Sequence, residues 1–273
     1  MILFPNAKIN LGLDIERRRP DGYHDIVTLM YPIGWADILE IVPAAGSDTT
    51  LTVTGNSVDC PAEKNLVMKA YRALDAEVNL PPVDIYLHKV IPDGAGLGGG
   101  SADAAFTLTG LDSIFDLGLE KEYLAEIAGS IGADCSFFIY NRPMLCTGTG
   151  TTMQPYDLDL SKYHIAVVKP PFSVPTREAY SAVTPAVAPR QIAEILRLPE
   201  AEWRGELKND FEPTVGARHP RIFEIRDRLY SLGAVYAAMS GSGSAVFGLF
   251  ENAILADELK RVFSDCATFA GRL

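Results

Sequence analysis

The sequence predicts an α+β protein in two domains. Three observations carry that expectation: strand-like segments precede adjacent helices in each half, the length of 273 residues exceeds a usual domain of roughly 100–200, and the composition is globular. Hydrophobic residues make up 48% and charged residues 22% of the chain, which excludes disorder and collagen. A chain of this size buries about three quarters of its unfolded surface, so it needs no disulfide or structural metal to fold.

Along the chain, residues 8–15 alternate polar and apolar, the pattern of a half-buried strand. A charged segment with a Pro20-Asp21-Gly22 turn follows, then strands at 26–32, 38–42 and 51–53. Residues 65–74 have helical spacing, with Leu66, Ala70 and Leu74 four apart, and 83–87 alternate as a strand. Residues 101–115 set Ala105, Leu108, Leu111 and Phe115 on one helical face, and 121–131 form a second helix. The run 137–140 reads as a strand. The Gly- and Thr-rich stretch 147–155 marks the domain boundary and divides 1–153 from 154–273. Beyond it lie a strand at 164–168, a Pro-rich turn at 170–175, several helices, and a Gly-Ser loop at 240–244.

A net charge of −11 repels nucleic acid and acidic membranes, so neither is an expected partner. Cys60, Cys135, Cys146 and Cys266 are scattered, and His24, His88, His164 and His219 form no ligand pattern, so no metal-ligating residues are expected. The apolar start is cut short by Pro5, Asn6 and Lys8, too early for a signal peptide. No stretch approaches the ~18 apolar residues of a membrane span. The expected protein is soluble and cytoplasmic.

The most informative stretch runs from Pro92 to Ala105. Gly96, Gly98, Gly99 and Gly100 let the backbone adopt left-handed angles and approach a ligand closely. The following helix presents unsatisfied N–H groups and the positive end of its dipole, an anion site suited to a di- or triphosphate. Amides bind phosphate without net positive charge, which reconciles this site with an acidic chain. A Walker loop is excluded because no lysine follows Gly100. Gly94, Gly96 and Gly99 satisfy GxGxxG, but a second helix follows where a dinucleotide fold needs a strand and an acidic residue.

This stretch, Pro92-x-x-x-Gly96-Leu97-Gly98-Gly99-Gly100-Ser101-Ala102-Asp103-Ala104-Ala105, resembles the phosphate loop of the GHMP kinase superfamily, which includes galactokinase, homoserine kinase and mevalonate kinase. Ala7-Lys8-Ile9-Asn10-Leu11, Arg19-Pro20-Asp21-Gly22-Tyr23-His24, Lys64-Asn65-Leu66-Val67, Gly132-Ala133-Asp134, Lys208-Asn209-Asp210-Phe211-Glu212 and Ser240-Gly241-Ser242-Gly243-Ser244 follow in family order. They are most similar to the branch that acts on a cytidine diphosphate-linked polyol. The pattern departs at Cys135-Ser136 and at Gly150-Thr151.

The resemblance implies a two-lobed fold, the first lobe like the second domain of ribosomal protein S5 and the second ferredoxin-like. It implies ATP-dependent phosphorylation of the 2-hydroxyl of a cytidine diphosphate-linked methylerythritol, in non-mevalonate isoprenoid precursor synthesis. Magnesium would accompany ATP through the phosphate oxygens, and the protein would be a monomer or weak homodimer. A homoserine- or mevalonate-type kinase and a non-catalytic nucleotide sensor are the alternatives.

By the same resemblance, ATP would be held by Pro92, Asp93, Gly94, Ala95, Gly96, Leu97, Gly98, Gly99, Gly100, Ser101 and Ala102, with Asn65, Leu66 and Lys89 against adenine. Taken alone, Asp134 is a turn or cap residue; the resemblance makes it the catalytic carboxylate, paired with Lys8, which helps polarise the attacking oxygen. Tyr23 would stack on cytosine, His24 would bond its edge, and Tyr180 would offer a second face. Asn10 would bind the methylerythritol end, with Thr176 a further substrate contact and Ser240 and Gly241 near the phosphates. Asp103 has a sufficient structural reason in the helix dipole and is not counted as catalytic.

Overall fold

The computed structural model describes residues 1–57 and 60–273. In chain order its elements are β1 (Ile2–Leu3), β2 (Asn6–Arg18), β3 (His24–Ala36), β4 (Ile38–Pro43), β5 (Thr50–Gly55), α1 (Leu66–Val78), β6 (Val83–Lys89), α2 (Gly99–Ile114), α3 (Lys121–Ile131), α4 (Cys135–Tyr140), β7 (Met144–Thr147), β8 (Thr152–Pro155), β9 (His164–Lys169), α5 (Thr176–Ala182), α6 (Ile192–Ile195), α7 (Glu212–Arg218), α8 (Arg221–Ser231), β10 (Tyr236–Met239), β11 (Val246–Phe250), α9 (Ala256–Val262) and β12 (Ala267–Arg272). Packing divides them into two compact units. The first comprises residues 1–7, 35–93 and 98–142, the second residues 8–34, 94–97 and 143–273.

The first unit holds a sheet of order β1-β4-β6-β5. β5 and β6 run parallel, joined by the crossover α1, as parallel neighbours require. α1 starts at Asn65, whose side chain accepts from the Val67 amide at 3.0 Å, satisfying one amide the helix cannot. On β6, Val83, Ile85, Leu87 and Lys89 share the inner face by the two-residue period of a strand. A lysine on that face enters the core and needs buried countercharge.

The segment 137–140 is not a strand but part of helix α4. The apolar run Phe137-Phe138-Ile139 is buried, so periodicity cannot distinguish the two states. A strand would need a sheet edge to pair with, whereas a short helix packed against α2 and α3 satisfies its own backbone. Asn141 ends it in a left-handed conformation.

The second unit holds two sheets, β2-β3-β7-β8 and β10-β11-β9-β12. The latter is antiparallel throughout. Its chain order (strand β9, helices, the β10–β11 hairpin, α9, β12) is the ferredoxin-like arrangement. The Gly- and Thr-rich run at 147–155 forms the turn and second strand of the β7–β8 hairpin. β2 departs from the half-buried expectation, because every residue from Ala7 to Ile15 is buried. Its polar face, carrying Lys8, Asn10 and Asp14, is covered by protein.

Candidate active site

In the second unit, the polar face of β2 meets the glycine loop that joins β10 to β11. Lys8 Nζ donates to Asn10 Oδ1 at 2.6 Å and to the Gly96 carbonyl at 3.2 Å. The Asn10 amide donates to Thr28 Oγ1 at 3.0 Å, and the Thr28 hydroxyl donates in turn to the Gly12 carbonyl at 2.6 Å. Ser240 Oγ donates to the Gly96 carbonyl at 2.9 Å and accepts from the Asn10 backbone N–H at 3.3 Å. Lys8 is 3% and Asn10 2% exposed, so this network sets their direction.

The glycine-rich segment is held on both sides. Lys8 N–H donates to the Leu97 carbonyl at 2.9 Å and Ala245 N–H to the Ala95 carbonyl at 3.1 Å. Ala95 and Leu97 are buried, Pro92, Gly96 and Gly98 are half-buried, and Asp93, Gly94 and Gly100 are exposed. Gly96 has φ of +74°, and a Cβ there would fall 2.1 Å from the Ser240 carbonyl oxygen, so no other residue fits.

In the first unit, Gly98 caps α2 in a left-handed conformation, and the first amides of α2 have no acceptor within the helix. Gly100 approaches Leu66 (3.6 Å from a Cβ position) and Gly99 approaches Lys89 Nζ (3.4 Å), so Asn65, Leu66, Lys89 and the α2 start gather together. Ser101 is half-buried and Ala102 buried in its first turn. The Lys89 ammonium, 5% exposed, is bound by Asp37 and, at 2.6 Å, by Asp103. Burial disfavours its charge, yet the two carboxylates overcome that and hold its pKa above the ordinary lysine value. Burial raises the Asp103 pKa, against the pull of Lys89 and with the Asp37 charge adding to it. Asp37 Oδ1 accepts from Ile91 N–H at 2.8 Å, just ahead of the glycine segment.

Asp134 is half-buried at the start of α4 and its side chain does not cap that helix. The next residue, Cys135, is buried where α4 packs against α2. Burial pushes the Cys135 thiol up to about 11, so it carries no thiolate at neutral pH.

Among the expected base-binding residues, His24 and Tyr180 stack on each other, with ring centroids 4.8 Å apart and an 18° interplanar angle. A base therefore cannot lie between these two rings unless one moves. Tyr23, 68% exposed, stands at the β2–β3 hairpin tip, where its N–H donates to Asp21 Oδ1 at 3.0 Å. Thr176, exposed at the start of α5, lies 3.2 Å from Ser242 Oγ in the glycine loop. Thr28 and Asp37 join these networks without a sequence signal, whereas Asn209, which donates to the Met239 and Gly241 carbonyls at the glycine loop, lies in the Lys208–Glu212 motif.

The class of protein follows from comparison with known families: the chain is a small-molecule kinase of the GHMP type. Residues 65–142 match the GHMP kinases N terminal domain and residues 189–267 the GHMP kinases C terminal family. The chain is 54% identical to a 4-diphosphocytidyl-2-C-methyl-D-erythritol kinase of Parabacteroides distasonis, over 100% of both chains. It is 52% identical to one of Bacteroides fragilis, over 92% of each. A crystal structure of 4-(cytidine 5'-diphospho)-2C-methyl-D-erythritol kinase superposes with a TM-score of 0.83 at 34% identity, covering 99% of this chain and 98% of that one. A mevalonate kinase at 15% identity, with a TM-score of 0.73 over 100% of this chain and 98% of its own, shares the fold alone. The chain belongs to the GHMP kinases and, within them, to the 4-diphosphocytidyl-2-C-methyl-D-erythritol kinase family.

Proposed function

We infer that this protein transfers the terminal phosphoryl group of ATP to the 2-hydroxyl of 4-diphosphocytidyl-2-C-methyl-D-erythritol, a step in non-mevalonate isoprenoid precursor synthesis. The 54% identity over the whole length carries this reading. Phosphoryl transfer passes through a loose transition state, so the protein positions groups and stabilises charge. The amides at the start of α2 receive the ATP phosphates, with Asn65 and Leu66 against adenine. Lys8 directs its ammonium toward the reacting oxygens, and Asp134 accepts or orients the hydroxyl proton. Tyr23, His24 and Tyr180 supply aromatic surface and a polar edge for cytosine.

Magnesium fits this chemistry without a protein cage. Among the described residues no three His, Cys, Asp or Glu side chains cluster, and an ion riding on ATP phosphates keeps several waters. When bound, it neutralises phosphate charge; phosphate oxygens are its main ligands. We place the protein in the cytosol as a monomer or weak homodimer. None of the four cysteines forms a disulfide, and no described helix is long and apolar enough to cross a membrane.

Phosphorus NMR of the product tests the regiochemistry. The reading expects one new phosphomonoester signal at carbon 2 beside an intact diphosphate; a monoester at another carbon would overturn it.

A further inference from the structure

Asn209 sits in the Lys208–Glu212 motif, to which the reaction assigns no role. It is 4% exposed and spends both amide hydrogens on backbone carbonyls: Met239 at 2.8 Å and Gly241 at 2.8 Å. Its Oδ1 accepts from Phe211 N–H at 3.0 Å. Two residues on, Glu212 accepts from Met239 N–H at 3.0 Å while Arg226 holds its other oxygen at 2.5 Å. Side chains of one short segment thus fix both the amide and the carbonyl of Met239, where β10 runs into the glycine loop.

That loop bears on Lys8. Gly241, with φ of +54°, lies so close that a Cβ there would be 3.2 Å from Asn10 Oδ1 and 3.3 Å from the Gly96 carbonyl oxygen. Both of those oxygens accept from the Lys8 ammonium. Ser240, between the two carbonyls that Asn209 holds, donates to the same Gly96 oxygen. Behind Asn209 and Glu212 opens a cavity of about 410 Å³, bordered also by Arg204, Tyr230 and Tyr236. Packing does not fill that side, so hydrogen bonds keep Asn209 in place.

We propose that Asn209 is a positioning residue for Lys8: by clamping the carbonyls on either side of Ser240, it sets the oxygens that aim the ammonium. The inference rests on the phosphotransfer reading for its effect on rate, but not for its effect on Lys8 itself.

The test is Asn209→Asp, which keeps the size and replaces a donor by an acceptor facing two carbonyls. At pH 8 the expected result is a fall in kcat of about 10- to 100-fold, with KM for ATP and for the cytidine substrate within about threefold. This range matches the loss of one buried charge-directing hydrogen bond. The ratio of variant to wild-type kcat should rise toward pH 5, because the protonated carboxyl regains one donor. Asp210→Asn, which perturbs the neighbouring bond to Ile15 N–H but not the loop, should leave kcat within about twofold. An unchanged kcat in Asn209→Asp, or a variant-to-wild-type ratio that stays flat or drops as the pH is lowered toward 5, would overturn the proposal.

A second measurement needs no turnover. Amine-reactive labelling with peptide mass spectrometry should show Lys8 modified about tenfold faster in Asn209→Asp than in wild type, with other lysines unchanged. Such protection reflects local opening at the site. Ser240→Ala, which cuts the same link at the loop, should show the same gain if the first variant does not fold. Unchanged Lys8 labelling in a folded variant would overturn the proposal even if the wild-type enzyme proved inactive on the cytidine compound, an outcome that would defeat the reading of function alone.

Discussion

Lys8 and Asn10 stand two residues apart on one face of a single strand, and the ammonium donates to the amide oxygen at 2.6 Å with both side chains removed from water. The strand period places them side by side, and Asn10 is a neutral acceptor that directs the charge without cancelling it. Lys8→Met should lower kcat by about 10²- to 10³-fold, the usual loss when a preorganised charge-stabilising group is removed. Asn10→Ala should lose less in kcat and raise KM for the cytidine substrate. Steady-state kinetics with each substrate varied in turn separates the two.

Asp134→Asn should lower kcat by about 10²- to 10⁴-fold if the carboxylate removes the hydroxyl proton. Nucleotide affinity, measured by calorimetry, should remain near wild type. A loss in affinity with kcat preserved would assign Asp134 to binding.

The His24–Tyr180 stack predicts a substrate-specific defect. Tyr180→Ala should raise KM for the cytidine compound by about two- to tenfold, the worth of an aromatic pair, and leave KM for ATP alone. Burial, with the nearby Arg18 charge, holds the His24 pKa below its ordinary value. The ring is thus neutral at pH 7, and KM for the cytidine compound should stay flat until pH falls below about 6.5.

Asp14 predicts how stability depends on pH. It is 8% exposed, and burial, with Asp210 and Glu16 adding and Lys208 opposing, raises its pKa to about 7. Folded Asp14 keeps its proton after the unfolded chain has released it, so stability is lost as pH rises from about 4 toward 7. Asp14→Asn should therefore raise the melting temperature at pH 8 and change it little at pH 4. An equal shift at both pH values would contradict this.

Lys89 predicts a structural cost. Lys89→Met would leave Asp37 and Asp103 buried without their shared cation, a loss of about 3–5 kcal/mol. Lys89→Met combined with Asp103→Asn should recover part of it in urea denaturation.

The glycine segment was legible because its chemistry is local: four glycines before a helical run specify backbone angles and a helix start without tertiary information, whereas the expected single buried face of α2 is not found, since Ala102 to Ala105 are all buried. The strand at residues 8–15 was legible in period but not in environment. Its polar residues looked like a solvent face because nothing near them in sequence reveals that Thr28, Gly96 and Ser240 cover them. Lys89 continues the inward series Val83, Ile85 and Leu87, so its burial could be read from the strand period. Its partner Asp37 lies 52 residues away in the chain and could not. At 137–140 an apolar run carried no period, and packing of that segment against α2 and α3 decides for helix.

The most direct test is ADP release from magnesium-ATP by the purified protein, comparing 4-diphosphocytidyl-2-C-methyl-D-erythritol with galactose, homoserine and mevalonate. The account predicts turnover with the cytidine compound alone. Turnover with homoserine or mevalonate, or ATP binding with no release of ADP on any of the four, would contradict it.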